Sequence, residues 1–114
     1  MSVTKNNINS VLATDKLVVL LFSNPTCGPC KDVKIILAHT ESTIKNAVFA
    51  MCDTHDNTDL VGTYNIKSVP TIVFIKNNRI TNRATGLVES NKLISTIKSV
   101  VRTWQIYHFQ PYFK

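Results

Sequence analysis

Apolar residues recur along this chain at two spacings, and the alternation between them predicts the order of its elements. Leu17 to Ser23 opens with six consecutive apolar residues, is preceded by Asp15-Lys16 and is broken by Asn24-Pro25-Thr26. A run that short, apolar at every position, reads as a strand covered on both faces. Ala47 to Cys52 is a second run of this kind. Between them, Val33, Ile36, Leu37, Thr40 and Ile44 fall at helical spacing and predict a helix over Pro29 to Lys45. Ile8, Val11 and Leu12 predict a short helix over Asn6 to Ala13, and Asp59 to Tyr64 reads as another after a polar loop. Thr71 to Lys76 and Arg79 to Ala84 flank Asn77-Asn78, a hairpin signal because Asn tolerates positive φ. Leu93, Ile94, Ile97, Val100, Val101 and Trp104 form the stripe of a last helix, Asn91 to Trp104. The expected fold class is α/β: a mixed parallel and antiparallel sheet with helices on both faces.

A chain of 114 residues, 44% apolar and 18% charged, is one domain's worth and can bury a core. No apolar run is long enough to span a bilayer. The first sixteen residues carry no apolar h-region, so no secretory signal is expected. Thirteen Lys and Arg against seven acids give a charge of +6, but the cations are scattered, which reads as a solvated surface and not a nucleic-acid stripe. Three cysteines, an odd number with two of them two residues apart, do not make a disulfide scaffold. They argue for a reducing compartment, taken as the cytoplasm, and for a catalytic or metal role.

Cys27-Gly28-Pro29-Cys30 carries the chemistry. A strand that delivers a C-x-x-C to the first turn of a helix puts one thiol at the positive end of the helix dipole, lowering its pKa. The second thiol, one turn on, can attack a mixed disulfide formed by the first. Pro29 suits the first helical turn, and Gly28 leaves room for an approaching substrate. The competing metal reading needs about four ligands, and only Cys52 remains to add; no metal and no cofactor is expected. Cys52, at the end of an apolar strand, reads as an inert core thiol. His55, among Asp53, Asp56 and Asp59, reads as part of a solvated loop with a helix cap near Asn57 or Thr58, and His39 as an exposed helix residue.

With these motifs the chain resembles the thioredoxin family, from about Leu17 to Val101. Cys27-Gly28-Pro29-Cys30 matches the family's active-site tetrapeptide. Val69-Pro70-Thr71 falls where the family has its cis-proline loop, forty residues after Cys30, with Tyr64-Asn65-Ile66-Lys67 before it. Gly86, sixteen residues after Pro70, matches a glycine beside the substrate groove. The resemblance implies a thioredoxin fold and a protein-disulfide reductase in which Cys27 is the nucleophile and Cys30 the resolving thiol. It implies a substrate groove at Val69, Pro70 and Gly86, disulfide-containing protein substrates, and resetting by a thioredoxin reductase or another dithiol donor. No nucleic-acid partner is expected, and the sequence gives no firm evidence for a membrane one.

Two positions depart from the family. Thr26 stands in the active-site loop where a Trp is usual, and Leu21 where the strand usually buries an Asp. The short N-terminal stretch leaves the family's first edge strand reduced or absent. Residues 105–114 form an aromatic extension beyond a domain over residues 1–104. Two alternatives to a general reductant follow: a redox protein dedicated to one partner, and a thioredoxin-like binding module whose redox activity is secondary.

Overall fold

A computed structural model of the chain describes residues 1–86 and 89–108. The elements run α1 (Ile8–Leu12), β1 (Leu17–Ser23), α2 (Gly28–Thr43), β2 (Ala47–Asp53), α3 (Thr58–Thr63), β3 (Thr71–Lys76), β4 (Arg79–Thr85) and α4 (Ser90–His108). All seven residues of β1 are buried, as its apolar run requires. The strand order is β2-β1-β3-β4. β1 pairs in parallel with β2, Leu17 opposite Ala47 through Ser23 opposite Asp53. It pairs antiparallel with β3, Val18 opposite Ile75 through Phe22 opposite Thr71. The expected mixed sheet is therefore present.

Alternate residues of the sheet feed two cores. Leu17, Val19, Leu21, Phe49, Ile72, Phe74 and Ala84 pack with Val33, Ile36 and Leu37 of α2 and with Leu93, Ile97 and Val101 of α4. Val18, Leu20, Phe22, Ala50, Cys52, Val73 and Ile75 pack with Val3, Ile8 and Leu60 on the opposite face. The period of two along each strand forces this division. Thr40, the one polar residue in the buried stripe of α2, donates its hydroxyl to the Ile36 carbonyl at 2.7 Å.

The turns follow their residue chemistry. Asn77 and Asn78 have φ of 52° and 66° and close the β3–β4 hairpin as a two-residue turn with left-handed φ at both positions. The register between β3 and β4 shifts after Phe74, so that Ile75 faces Ile80 while Phe74 faces Asn82. Thr81 is the extra residue of this bulge, and its hydroxyl donates to the Phe74 carbonyl at 3.2 Å. Helix α3 ends with Asn65 at φ 53°. The N–H of Asn65 reaches Gly62 and that of Ile66 reaches Val61, the paired bonds of a Schellman motif. The cap position of α3 is Asn57, but its side chain makes no capping bond. Its Nδ2 donates instead to the Asp53 carbonyl at 2.8 Å.

At the N-terminus the edge strand is reduced to one bridge, Ser2 opposite Met51. The Val3 N–H donates to Met51 and the Met51 N–H to Met1, at 2.7 and 2.8 Å. Helix α4 continues past Trp104 to His108, four residues beyond the predicted end. The side chain of Trp104, and residues 109–114 of the aromatic extension, lie outside the described part of the chain. Among the described residues no helix is long and apolar enough to cross a membrane.

Ile97 is fully buried and joins α4 to the sheet. Replacing it by Ala is expected to cost about 2–5 kcal/mol through lost transfer energy and a residual cavity. Ile35, on the outer side of α2, is 69% exposed, and Ile35→Ala should change stability by less than about 0.5 kcal/mol. Urea denaturation of the two variants checks both values.

Candidate active site

β1 and β2 end, β3 begins and β4 ends at the same edge of the sheet. The loops that leave these ends are the ones holding Thr26 and Cys27, Val69 and Pro70, and Gly86. Asn24, the first residue after β1, organises the first of them. Its Oδ1 accepts from both the N–H and the Oγ1 of Thr26, each at 3.0 Å, an Asx-turn. Its carbonyl accepts from the Cys27 N–H at 3.3 Å.

This turn delivers Cys27 to the N-cap of α2 in an extended conformation, φ −86° and ψ 110°. The Cys27 Sγ accepts a hydrogen bond from the Cys30 N–H at 3.2 Å. That N–H is one of the four donors that a helix start leaves without a backbone partner. Pro29 lies in the first turn, where its missing N–H costs nothing. Cys27 and Cys30 are joined as a disulfide, with Cα atoms 5.3 Å apart. Their environments differ: Cys27 is partly exposed, whereas Cys30 is 1% exposed within the buried stripe of α2. Thr26, Gly28 and Pro29 are exposed around the outer sulfur. A Cβ added at Gly28 meets nothing within 4 Å, so the fold itself does not demand glycine there.

The Val69–Pro70 peptide bond is cis. Val69 is half-buried and Pro70 buried. Thr71 donates its hydroxyl to the Ser68 carbonyl at 2.7 Å, fastening the loop across the proline. Gly86 has φ 68°, the left-handed region in which a side chain is strained. Its N–H donates to the Pro70 carbonyl at 3.0 Å. The structure thus ties Gly86 directly to Pro70, two residues that the sequence separates by sixteen. Leu21 is fully buried on the sheet face against which α2 packs, so no carboxylate occupies that position beneath the helix.

The remaining sequence candidates lie outside the dithiol and proline loops. His39 is exposed on α2. His55 is exposed, its N–H donating to Asp53 Oδ1 at 2.9 Å. Among the described residues no three His, Cys, Asp or Glu side chains are grouped to hold a metal ion. The sequence reading takes Asn24 only as a strand break; the structure shows that it also shapes the turn before Cys27, and Asn-Pro directly after a strand is its signal.

A mixed sheet whose first long helix is capped by one cysteine and buries its disulfide partner a turn later defines a class, the thiol–disulfide oxidoreductases of thioredoxin fold. The comparisons with known proteins agree. The Thioredoxin family model matches residues 1–99. The thioredoxin of Mycoplasmoides gallisepticum is 28% identical over 94 residues, covering 82% of this chain and 94% of its own. That of Equus caballus is 34% identical over 89 residues, covering 78% and 84%. The crystal structure of thioredoxin from Trypanosoma brucei brucei matches with a TM-score of 0.79 at 18% identity, covering 90% of each chain. A mutant thioredoxin from Halobacterium salinarum matches with a TM-score of 0.77 at 24% identity, covering 89% of each. The chain belongs to the thioredoxin family, and with its Cys27–Cys30 pair it is a thiol–disulfide oxidoreductase of the protein-disulfide-reductase kind.

Cys52 takes no part in the pair. It is free and fully buried, and its Sγ lies 4.0 Å from the Asp53 carbonyl. Burial first, and the Asp53 carboxylate second, push its thiol from the ordinary 9.0 up to about 11. Tyr64, whose ring centroid lies 5.7 Å from that of Phe22, is raised by burial and then by Cys52. A raised thiol pKa means that between pH 9.0 and about 11 the unfolded state binds fewer protons than the folded one. The contribution of Cys52 to stability is therefore complete below the first value and lost as pH rises toward the second. Two outcomes are expected. In the folded, reduced protein Cys52 stays unlabelled by a thiol reagent at pH 8 and reacts once the chain is unfolded in denaturant. The fall in stability above pH 9 is shallower in Cys52→Ala than in the parent, as measured by urea denaturation across that range.

Proposed function

We propose that this protein reduces disulfides of protein substrates, with Cys27 as the nucleophile and Cys30 as the resolving thiol. The carrying observation is the Cys30 N–H donating to Cys27 Sγ at the N-cap of α2, with Cys30 itself buried. In the reduced protein that donor and the helix N-terminus favour the Cys27 thiolate. The Cys27 thiolate attacks one sulfur of the substrate disulfide. A Cys27–substrate bond forms, the substrate S–S bond breaks, and the departing thiolate takes up a proton. Cys30, once deprotonated, attacks the Cys27 sulfur. The Cys27–Cys30 disulfide forms, and the second substrate sulfur leaves as a thiol. Two electrons pass from the dithiol to the substrate, and the step balances without metal or cofactor.

Val69, Pro70 and Gly86 form the substrate groove in this reading. A substrate segment pairs with the exposed backbone of Val69 as an added strand, while the Gly86–Pro70 bond holds the two walls of the groove together. Thr26, Gly28 and Pro29 surround the outer sulfur, and Gly28 puts no side chain beside it. Leu21 offers no carboxylate to take the proton of Cys30, so water or the leaving thiolate takes it. The oxidised pair is reset by a thioredoxin reductase or another dithiol donor, in the reducing cytoplasm. Residues 105–114 extend the sequence past the domain of residues 1–104, and α4 continues across that boundary to His108.

Insulin reduction with an external dithiol tests the scheme. Cys27→Ser is expected to abolish turnover. Cys30→Ser is expected to retain attack and to accumulate as a mixed disulfide, visible by mass spectrometry. Limiting alkylation of the reduced parent near neutral pH should label Cys27 ahead of Cys30. Label mainly on Cys30, or parent-like turnover by Cys30→Ser, overturns the assignment.

A further inference from the structure

We propose that the cavity beside the Pro70 loop, walled by Lys67 and Arg83, is a subsite for an acidic side chain of the protein substrate. The proposal deepens the dithiol reading above and rests on it. The cavity holds about 250 Å³ and is lined by Asn65, Lys67, Ser68, Thr71, Arg83 and Thr85. Three of these adjoin the substrate groove along the chain: Ser68 precedes Val69, Thr71 follows Pro70 and Thr85 precedes Gly86. The cavity therefore borders the loops that carry Val69, Pro70 and Gly86.

Its charge is of one sign. Two cations line it, with hydroxyl and amide groups, and no carboxylate. A Nη2 proton of Arg83 goes to the Tyr64 carbonyl, which fixes the guanidinium against the turn that ends α3. A guanidinium has five N–H donors, so others remain for a carboxylate. Ala84 is buried against α2 and α4, and alternation along β4 sends Arg83 to the opposite face. A substrate strand laid along Val69 alternates in the same way. Its cysteine turns toward Cys27, so the residue beside that cysteine turns toward the face that carries Arg83. The larger cavity on the other side of the active-site loop, about 670 Å³, differs in charge. It is lined by both signs, and Lys5 pairs there with Asp59 at 3.3 Å. On the Lys67–Arg83 side, by contrast, the lining offers no carboxylate to the two cations.

The test uses the pre-reduced full chain and three peptides that carry one intrapeptide disulfide and differ in a single residue beside the attacked cysteine: Glu, Gln or Lys. The rate constant for oxidation of the Cys27–Cys30 pair is read by acid quench and mass spectrometry. The Glu peptide is expected to react about fivefold faster than the Lys peptide at low salt, the scale of one or two exposed ion pairs. The Gln peptide should fall between them. The preference should vanish at about 1 M salt, where the screening length is about 3 Å. A Lys67→Glu/Arg83→Glu protein should reverse the order, and a Lys67→Gln/Arg83→Gln protein should level it. Equal rates for the three peptides on the parent, or an order that neither double variant changes, overturn the subsite while leaving the dithiol reading intact. Failure to reduce any of the peptides overturns both.

Discussion

The double-sided burial of β1 is the constraint on which the rest of the structure depends. Every residue from Leu17 to Ser23 is buried, so the strand needs a neighbour on each edge and a layer of helix on each face. β2 and β3 supply the edges. Helices α2 and α4 cover one face, and the Val3, Ile8 and Leu60 cluster covers the other. Once these are in place, the chain leaving β1 has one short path to the start of α2, and Cys27 stands at its end. The reactive position is thus fixed by packing several residues away from it, and the site inherits the rigidity of the core.

The two thiols of the pair differ because they belong to different parts of that construction. Cys27 precedes the helix and its sulfur caps it; Cys30 is already inside and joins the buried stripe with Val33 and Leu37. The third thiol makes the contrast clear. Cys52 is as deeply buried as Cys30, but it lies in a strand, away from any helix start, and its surroundings hold it protonated. Identical side chains acquire opposite reactivities from their surroundings: a helix start for Cys27, a buried strand beside the Asp53 carboxylate for Cys52.

Much of this was legible in the chain itself. β1 and β3 fall on the residues their apolar runs mark, and Asn77-Asn78 turns as its tolerance of positive φ allows. The dithiol could be read because two cysteines, a proline and a preceding strand form one local pattern. What could not be read was whatever depends on residues distant in sequence. The bond from Gly86 to Pro70 joins two loops, and the reach of Arg83 to the Tyr64 carbonyl crosses from β4 to the end of α3. The bulge at Thr81 leaves no mark in the hydrophobic pattern, because β4 is mostly exposed. The capping of α3 misleads for a related reason: Asn57 is a good cap by type, but a nearby carbonyl claims its amide. Local propensities fix element types; which polar group meets which is settled by tertiary placement.

The topology also carries a consequence for the birth of the chain. β1 gains its antiparallel neighbour only when β3 is available, with Val18 opposite Ile75 and Phe22 opposite Thr71. During synthesis at about 5–20 residues per second, the some fifty residues between them take roughly 3–10 s to be made. Until β2 is made both edges of the most apolar segment are open, and until β3 is made one of them still is. The same strand that later holds the reactive loop in place is, on the ribosome, the segment most in need of shelter.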